Sequence, residues 1–209
     1  MRCVLASASP ARLATLQAAG VSPDVIVSGV DETCDDAWDT PSRVREVARR
    51  KGDAVRAILG DAPQAPTVLI AADTMLDMDG VSYGKPHSAD VARQRLQAMS
   101  GAAGVLYTGH YVAVAAGGPW RGLIDHAATV VRFADMTSDE IDAYLATGEP
   151  LEVAGSFTID GLGGPFITGI EGDPHNVVGI SLPLLRVMLA KLDVQWTSLW
   201  ASPPPTLST

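Results

Sequence analysis

Apolar positions along this chain fall into two patterns: continuous or alternating runs, and positions spaced three to four residues apart. Val4-Leu5-Ala6 is a short continuous run and reads as a buried strand. It gives way to Ser7-Ala8-Ser9-Pro10, where Ser9 is placed to cap a helix and Pro10 to fill its first position, at which a missing N–H costs nothing. Leu13 and Leu16 form the apolar face of that helix, and Gly20 ends it. Val25 to Val27 predicts a second strand running into Asp31-Glu32. From Thr40-Pro41 the spacing of Val44, Val47, Val55 and Ile58 predicts a longer helix with those residues facing inward. Thr67 to Ala72 is too apolar for an exposed strand, so it is expected at the centre of a sheet, ending at Asp73-Thr74.

Further on, Asp79-Gly80 is a hairpin turn signal, and Ser88 is placed to cap a helix through Met99. Leu106 to Ala115 and Ile124 to Phe133 both alternate and flank Gly117-Gly118-Pro119, the pattern of a long β-hairpin. Thr137 and Glu140 form a capping box before a helix ending near Gly148. Ala154 to Gly179 is rich in glycine and poor in periodicity; it reads as a strand followed by a long loop lining the mouth of a cleft near Asp73. A last helix is expected from about Ser181-Leu182-Pro183 to Leu192, before a low-complexity tail containing Ser202-Pro203-Pro204-Pro205. Helices interleaved with strands, plus a hairpin, predict a mixed α/β sheet with helices outside.

Composition narrows the function classes. With 47% hydrophobic residues but only 5% aromatics, the core has to be built mainly from Val, Leu, Ile and Ala. A net charge of −9 argues against nucleic acid or an anionic membrane as partner, since both are bound by basic side chains that displace counterions. A small polyphosphate stays open, because a local cluster of Arg, Lys and metal overrides the global field. No apolar run approaches bilayer length, and MRCVLASASPARL flows into a helix start unlike a signal peptide. Cys3 and Cys34 lack metal-ligand spacing and read as reduced thiols, so a cytoplasmic protein is expected.

Four segments are candidates for chemistry. Ser7, Ser9 and Arg12 surround a helix N-terminus, where free N–H groups and the helix dipole favour an anion. Taken alone, the segment reads more readily as a well-capped helix with a surface arginine. Asp31-Glu32 follows a strand; neighbours in extended chain point opposite ways, so one of the two would face a cleft, and Asp35 and Asp36 close by also fit a solvated acidic turn. Asp73 carries the clearest signal: a carboxylate closing an apolar strand is costly unless it meets a cation, a metal or an opening. Lys85 in Tyr83-Gly84-Lys85-Pro86 is presented in a fixed direction by its neighbours, or is a solvated lysine at a hairpin exit. His110 and His126 lie on the hairpin without ligand spacing and make a poor metal site.

In this order and at these spacings the segments LASASPARL (5–13), SGVDE (28–32), ARRKGDAV (48–55), AADT (71–74), YGKP (83–86) and LQAMSG (96–101) resemble the Maf, or septum-formation, family. YTG (107–109), TSDEIDAYLATGEPLEVAGSF (137–157) and EGDPHNVVGISLPLL (171–185) continue the likeness over nearly the whole chain. The resemblance implies an elongated, twisted mixed α/β sheet flanked by helices, similar to the inosine triphosphate pyrophosphatases. It implies one domain over residues 1–200, in two lobes around a central cleft, with a disordered tail at 201–209.

It implies, too, a nucleoside triphosphate pyrophosphatase that uses Mg²⁺ or Mn²⁺, with Asp73 activating water, Glu32 and Asp73 holding the metal, and Ser7, Ser9, Arg12, Lys51 and Lys85 meeting phosphates. A homodimer is left open. The family often has two arginines after Ser-Pro, whereas Ala11 fills the first position here; Asp160 stands where the branch preferring dTTP and UTP has glutamine. With Thr74, Asp160 is the position expected to bear on base selection, and the base itself stays open. The alternative is a non-catalytic nucleotide-binding regulator of cell division, against which Glu32, Asp73 and Lys85 all speak. No P-loop sequence is present.

Overall fold

The computed structural model describes residues 1–35 and 37–201; Asp36 and the expected tail at 202–209 lie outside the described residues. Among the described residues the strands are β1 (Arg2–Leu5), β2 (Asp24–Val25), β3 (Thr67–Met78), β4 (Val81–Tyr83), β5 (Ala103–Ala115), β6 (Arg121–Phe133) and β7 (Ile167–Glu171). They form one sheet in the order β2-β1-β3-β5-β6-β7, with β4 paired to β3. β2, β1 and β3 run parallel, and β3, β5, β6 and β7 pair antiparallel, which makes the sheet mixed. The helices are α1 (Pro10–Ala18), α2 (Thr40–Leu59), α3 (Ala89–Met99), α4 (Ser138–Ala146), α5 (Pro174–Val178) and α6 (Leu182–Lys191). No helix among the described residues is long and apolar enough to cross a membrane.

The cap residues act where the sequence places them. Ser9, Ser88 and Ser181 each accept a hydrogen bond from a backbone N–H of the first turn, and Thr137 with Glu140 closes a reciprocal capping box. Ile58, expected to face inward from α2, is exposed, and the expected Val25–Val27 strand is the two-residue β2; two larger expectations also change. β3 does not stop at Asp73-Thr74 but runs on to Met78, because Leu76 and Met78 point into a further core and Asp79-Gly80 turns the chain back as β4. The 154–179 segment is not a strand followed by loop: it begins with irregular turns, then forms β7 against β6 and the short α5.

Alternation along β3 feeds three apolar clusters. Val68 and Ile70 pack with Leu16, Leu185, Met188 and Leu189 on one face. Leu69 and Ala71 pack with Ala48 and Val55 of α2 on the other. Leu76 and Met78 pack with Leu96, Met99, Phe133 and Phe157 further along. Each fully buried Leu, Ile or Met contributes about 1.5–3 kcal/mol relative to exposure. Asp73 and Thr74 fall in the gap between these clusters, so polar side chains occupy the sheet's centre where no cluster claims them.

Candidate active site

The antiparallel partner of Asp73 on β5 is Gly109. At that point α2 lies directly on the sheet: a Cβ at Gly109 would overlap the Val44 carbonyl, and one at Gly52 would overlap the Tyr111 ring. Two glycines therefore admit the helix backbone closely enough for Lys51 to reach β3. Its ammonium donates to Asp73 Oδ1 at 2.8 Å and stands 2.8 Å from Glu32 Oε1. Asp73 and Lys51 are only 5% and 7% exposed. The Glu32 carboxylate is largely open to solvent, so the trio has a closed end and an open one. Asp31 Oδ1 accepts from Thr33 N, two residues on, at 2.9 Å.

Asp73 Oδ2 is buried and has no hydrogen-bond partner. Burial pushes the Asp73 carboxyl above the usual carboxylate range, against the opposing pull of Lys51 and Arg12. Sequence alone makes this an uncompensated charge at a strand end. The structure makes it a half-compensated charge in mid-strand, with one oxygen committed and one bare.

Thr74 faces the opposite side, into a buried polar web organised by Arg12. The guanidinium donates through Nε to the Gly179 carbonyl at 2.7 Å, through Nη1 to Ser7 Oγ at 3.0 Å and through Nη2 to Thr74 Oγ1 at 2.9 Å. Thr74 lies 3.1 Å from Thr108 Oγ1, which donates in turn to the Asn176 carbonyl at 3.1 Å. Burial lowers the Arg12 pKa, opposed by Asp73 and Glu32. Arg12 is thus no surface arginine: it ties the β1–α1 loop, β3 and the α5–α6 turn together. Ser7 Oγ also accepts from Ser9 N, while Ser9 Oγ accepts from Arg12 N at 3.4 Å.

Lys85 is exposed and makes no ion pair among the described residues. Its turn is held next to the glycine-rich segment, since the Gly84 carbonyl accepts from Gly155 N at 3.3 Å. The 155–180 segment is therefore tied to Gly84 through Gly155 and to Arg12 through Gly179.

Asp160 is exposed, and no hydrogen bond links it to Thr74. Its loop is organised by a residue that sequence reasoning passed over, Glu149. That carboxylate accepts from Thr158 Oγ1 at 2.6 Å, the Tyr144 hydroxyl at 2.9 Å, and the amides of Leu162 and Gly163, both at 3.1 Å. His110, set aside on sequence as a poor ligand, is fully buried on β5. Its Nε2 accepts from Ser181 N at 2.9 Å, which puts the ring proton on Nδ1, donated to the Thr108 carbonyl at 3.0 Å. Burial lowers its pKa to about 4, reinforced by Arg12.

Among the described residues no group of three or more His, Cys, Asp and Glu is gathered as a metal cage. The oxygen donors that do converge are those of Glu32 and Asp73.

The chain matches the family model described as "Maf-like protein" over residues 2–192. It is 52% identical over 202 residues to a Cutibacterium acnes protein named "Nucleoside triphosphate pyrophosphatase", covering 96% of this chain and 95% of that one. A Streptomyces coelicolor protein of the same name is 50% identical over 201 residues, with 96% and 95% covered. Among solved structures, the Staphylococcus aureus Ham1 protein aligns with a TM-score of 0.38 and 14% identity, over 65% of this chain and 73% of that chain.

Proposed function

Because this chain belongs to the Maf-like protein family, we propose that it hydrolyses nucleoside triphosphates to the monophosphate and pyrophosphate. The observation that carries the reading is the bare, buried Asp73 Oδ2 beside an Oδ1 held by Lys51. Asp73 Oδ1 is fixed by the ammonium, so Oδ2 is left to accept a proton. The proton comes from a water whose oxygen bonds to the α-phosphorus as the bond to pyrophosphate breaks. The raised pKa of Asp73 makes it a stronger base than a solvated carboxylate, provided it is ionised. Lys85, exposed and without an ion pair among the described residues, meets the charge that develops on departing pyrophosphate, and Lys51 offsets part of the negative charge of the two carboxylates. Arg12, Ser7 and Ser9 shape the helix N-terminal wall of the same site, Arg12 through its three bonds within the protein.

The residues fit a divalent cation: Asp73 offers an unpartnered carboxylate oxygen, and Glu32 an open carboxylate converging on the same ammonium. These two would hold Mg²⁺ or Mn²⁺, hard ions that take oxygen ligands and keep several waters. Such an ion supplies Lewis-acid polarisation of phosphate oxygens. Thr74 and Asp160 belong to base selection in this reading, Asp160 by direct contact and Thr74 through the Arg12 web. The setting is cytoplasmic, in keeping with two free cysteines.

The test incubates the purified chain, with and without Mg²⁺ or Mn²⁺, against a panel of standard and modified nucleotides and separates the products. Monophosphate with pyrophosphate in equal amounts is expected, abolished by chelation. Free orthophosphate, or binding without turnover, would overturn the assignment; the second outcome belongs to a nucleotide-binding regulator.

A further inference from the structure

The turn carrying Lys85 is gripped by a residue outside the sites described above. Arg95 on α3 donates from Nη1 to the Gly84 carbonyl at 2.6 Å, and its Cζ stands 4.8 Å from the centroid of the Tyr83 ring. The same carbonyl accepts from Gly155 N, so the peptide just before Lys85 is held from two directions. Pro86, just after it, is buried. Lys85 itself projects into solvent between two anchored neighbours.

Arg95 has no carboxylate partner among the described residues. A half-buried guanidinium is ordinarily found paired, because desolvating its charge is costly. Here its planar fork is spent on one carbonyl and one aromatic face, the two groups that define where the 83–86 turn sits. We propose that Arg95 is a positioning residue that latches the Tyr83–Pro86 turn and so holds Lys85 ready for the triphosphate.

The inference rests on the reading that Lys85 meets phosphate, and a double-mutant cycle on the full-length chain separates the two. Lys85→Ala, Arg95→Ala and the double variant are compared by kcat/KM for pyrophosphate release, with hydrogen exchange of the 83–88 segment as a second readout. Arg95→Ala is expected to lower kcat/KM roughly tenfold when Lys85 is present and hardly at all when it is absent, as misplacement of a single group would. Arg95→Lys keeps the charge and one donor but not the fork, and recovers part of the loss; it stands in should the alanine variant fold poorly. Exchange over 83–88 quickens in both Arg95 variants. Equal losses in the wild-type and Lys85→Ala backgrounds, or unchanged exchange, would overturn the latch. If Lys85→Ala leaves turnover intact while exchange quickens in Arg95→Ala, the latch stands and the phosphate role of Lys85 falls.

Discussion

The Lys51 ammonium and Asp73 Oδ1 lie 2.8 Å apart, and both side chains are more than nine-tenths buried. Neither charge would sit there alone. Their separation along the chain is bridged only because α2 rests against β5 at Gly109 and Gly52. The pair leaves Asp73 with one oxygen spoken for and one buried without a partner.

Asp73→Asn follows directly. Asparagine keeps the size of the side chain but cannot take a proton from water or hold a cation as a carboxylate does. Pyrophosphate release is expected to fall by roughly a hundredfold or more. Sequence alone, seeing an uncompensated acid, would have the variant hold or gain stability. The structure sets against that gain the loss of one buried counter-ion by Lys51. Any net cost stays below the about 3–5 kcal/mol typical of breaking a buried pair, because Glu32 still pairs with the ammonium. Turnover at saturating metal and a thermal melt check both halves; a folded variant with near-normal rates would sink the active-site assignment.

Arg12 and Lys85 are expected to part company. A lysine at position 12 has one ammonium where three hydrogen bonds spread over Ser7, Thr74 and Gly179 are needed. Arg12→Lys should destabilise the protein by roughly 2–4 kcal/mol, given what hydrogen bonds to charged groups are worth. Lys85→Ala, removing an exposed side chain, should raise KM with the melting temperature unchanged. Urea denaturation of both variants decides it, and an Arg12→Lys midpoint equal to wild type would make that arginine a surface cation after all.

Much of this was legible before any coordinates. Cap residues, the long hairpin, the helix from Thr40 and the weight placed on Asp73 came from pattern alone. Lys51 and Glu32 came from the family likeness, because nothing local to either says that they share one ammonium-carboxylate contact. The end of β3 was misjudged because Asp73-Thr74 looks like a stop. In fact the strand passes between two cores, and the polar pair marks the gap between them. Glu149 and Arg95 were missed for a common reason: each acts on backbone groups that are distant along the chain or reached only through folding, which leaves no periodic trace.

His110 predicts a pH dependence of stability. In the unfolded chain the imidazole titrates near its ordinary 6.5, and in the fold at about 4, because burial and its acceptor role at Ser181 N disfavour the charged form. The unfolded state therefore binds more protons between these values. Stability present above pH 6.5 is lost as the pH falls toward 4, by up to about 3 kcal/mol. Asp73, with its pKa raised, contributes the opposite slope at the acidic end. Comparing wild type with His110→Gln isolates the histidine: the stability gap between them should narrow steadily from pH 7 to pH 4. A gap independent of pH would contradict the neutral tautomer with its proton on Nδ1.

Glu149→Gln tests whether the 158–163 loop selects the base. The carboxylate accepts four hydrogen bonds, three at Oε1 from Tyr144, Thr158 and Gly163 and one at Oε2 from Leu162 N. Glutamine offers one acceptor oxygen and one amide donor. Whichever way it is turned, a loop donor meets another donor. The loop should loosen at a cost of about 1–3 kcal/mol, the scale for a partly buried group left unsatisfied. Exchange of the Leu162 and Gly163 amides should quicken accordingly. Asp160 rides on this loop, so its position relative to an incoming base becomes less defined, while Asp73, Lys51 and Glu32 on the far elements are untouched. The ratio of kcat/KM between the best and the second-best nucleotide is therefore expected to shrink severalfold, with kcat for the best one changing less. The variant is assayed over the same nucleotide panel, alongside Asp160→Asn. If exchange quickens while the ratio stays as in wild type, the loop is mobile but does not read the base, and selection must be sought on the Arg12–Thr74 side of the sheet.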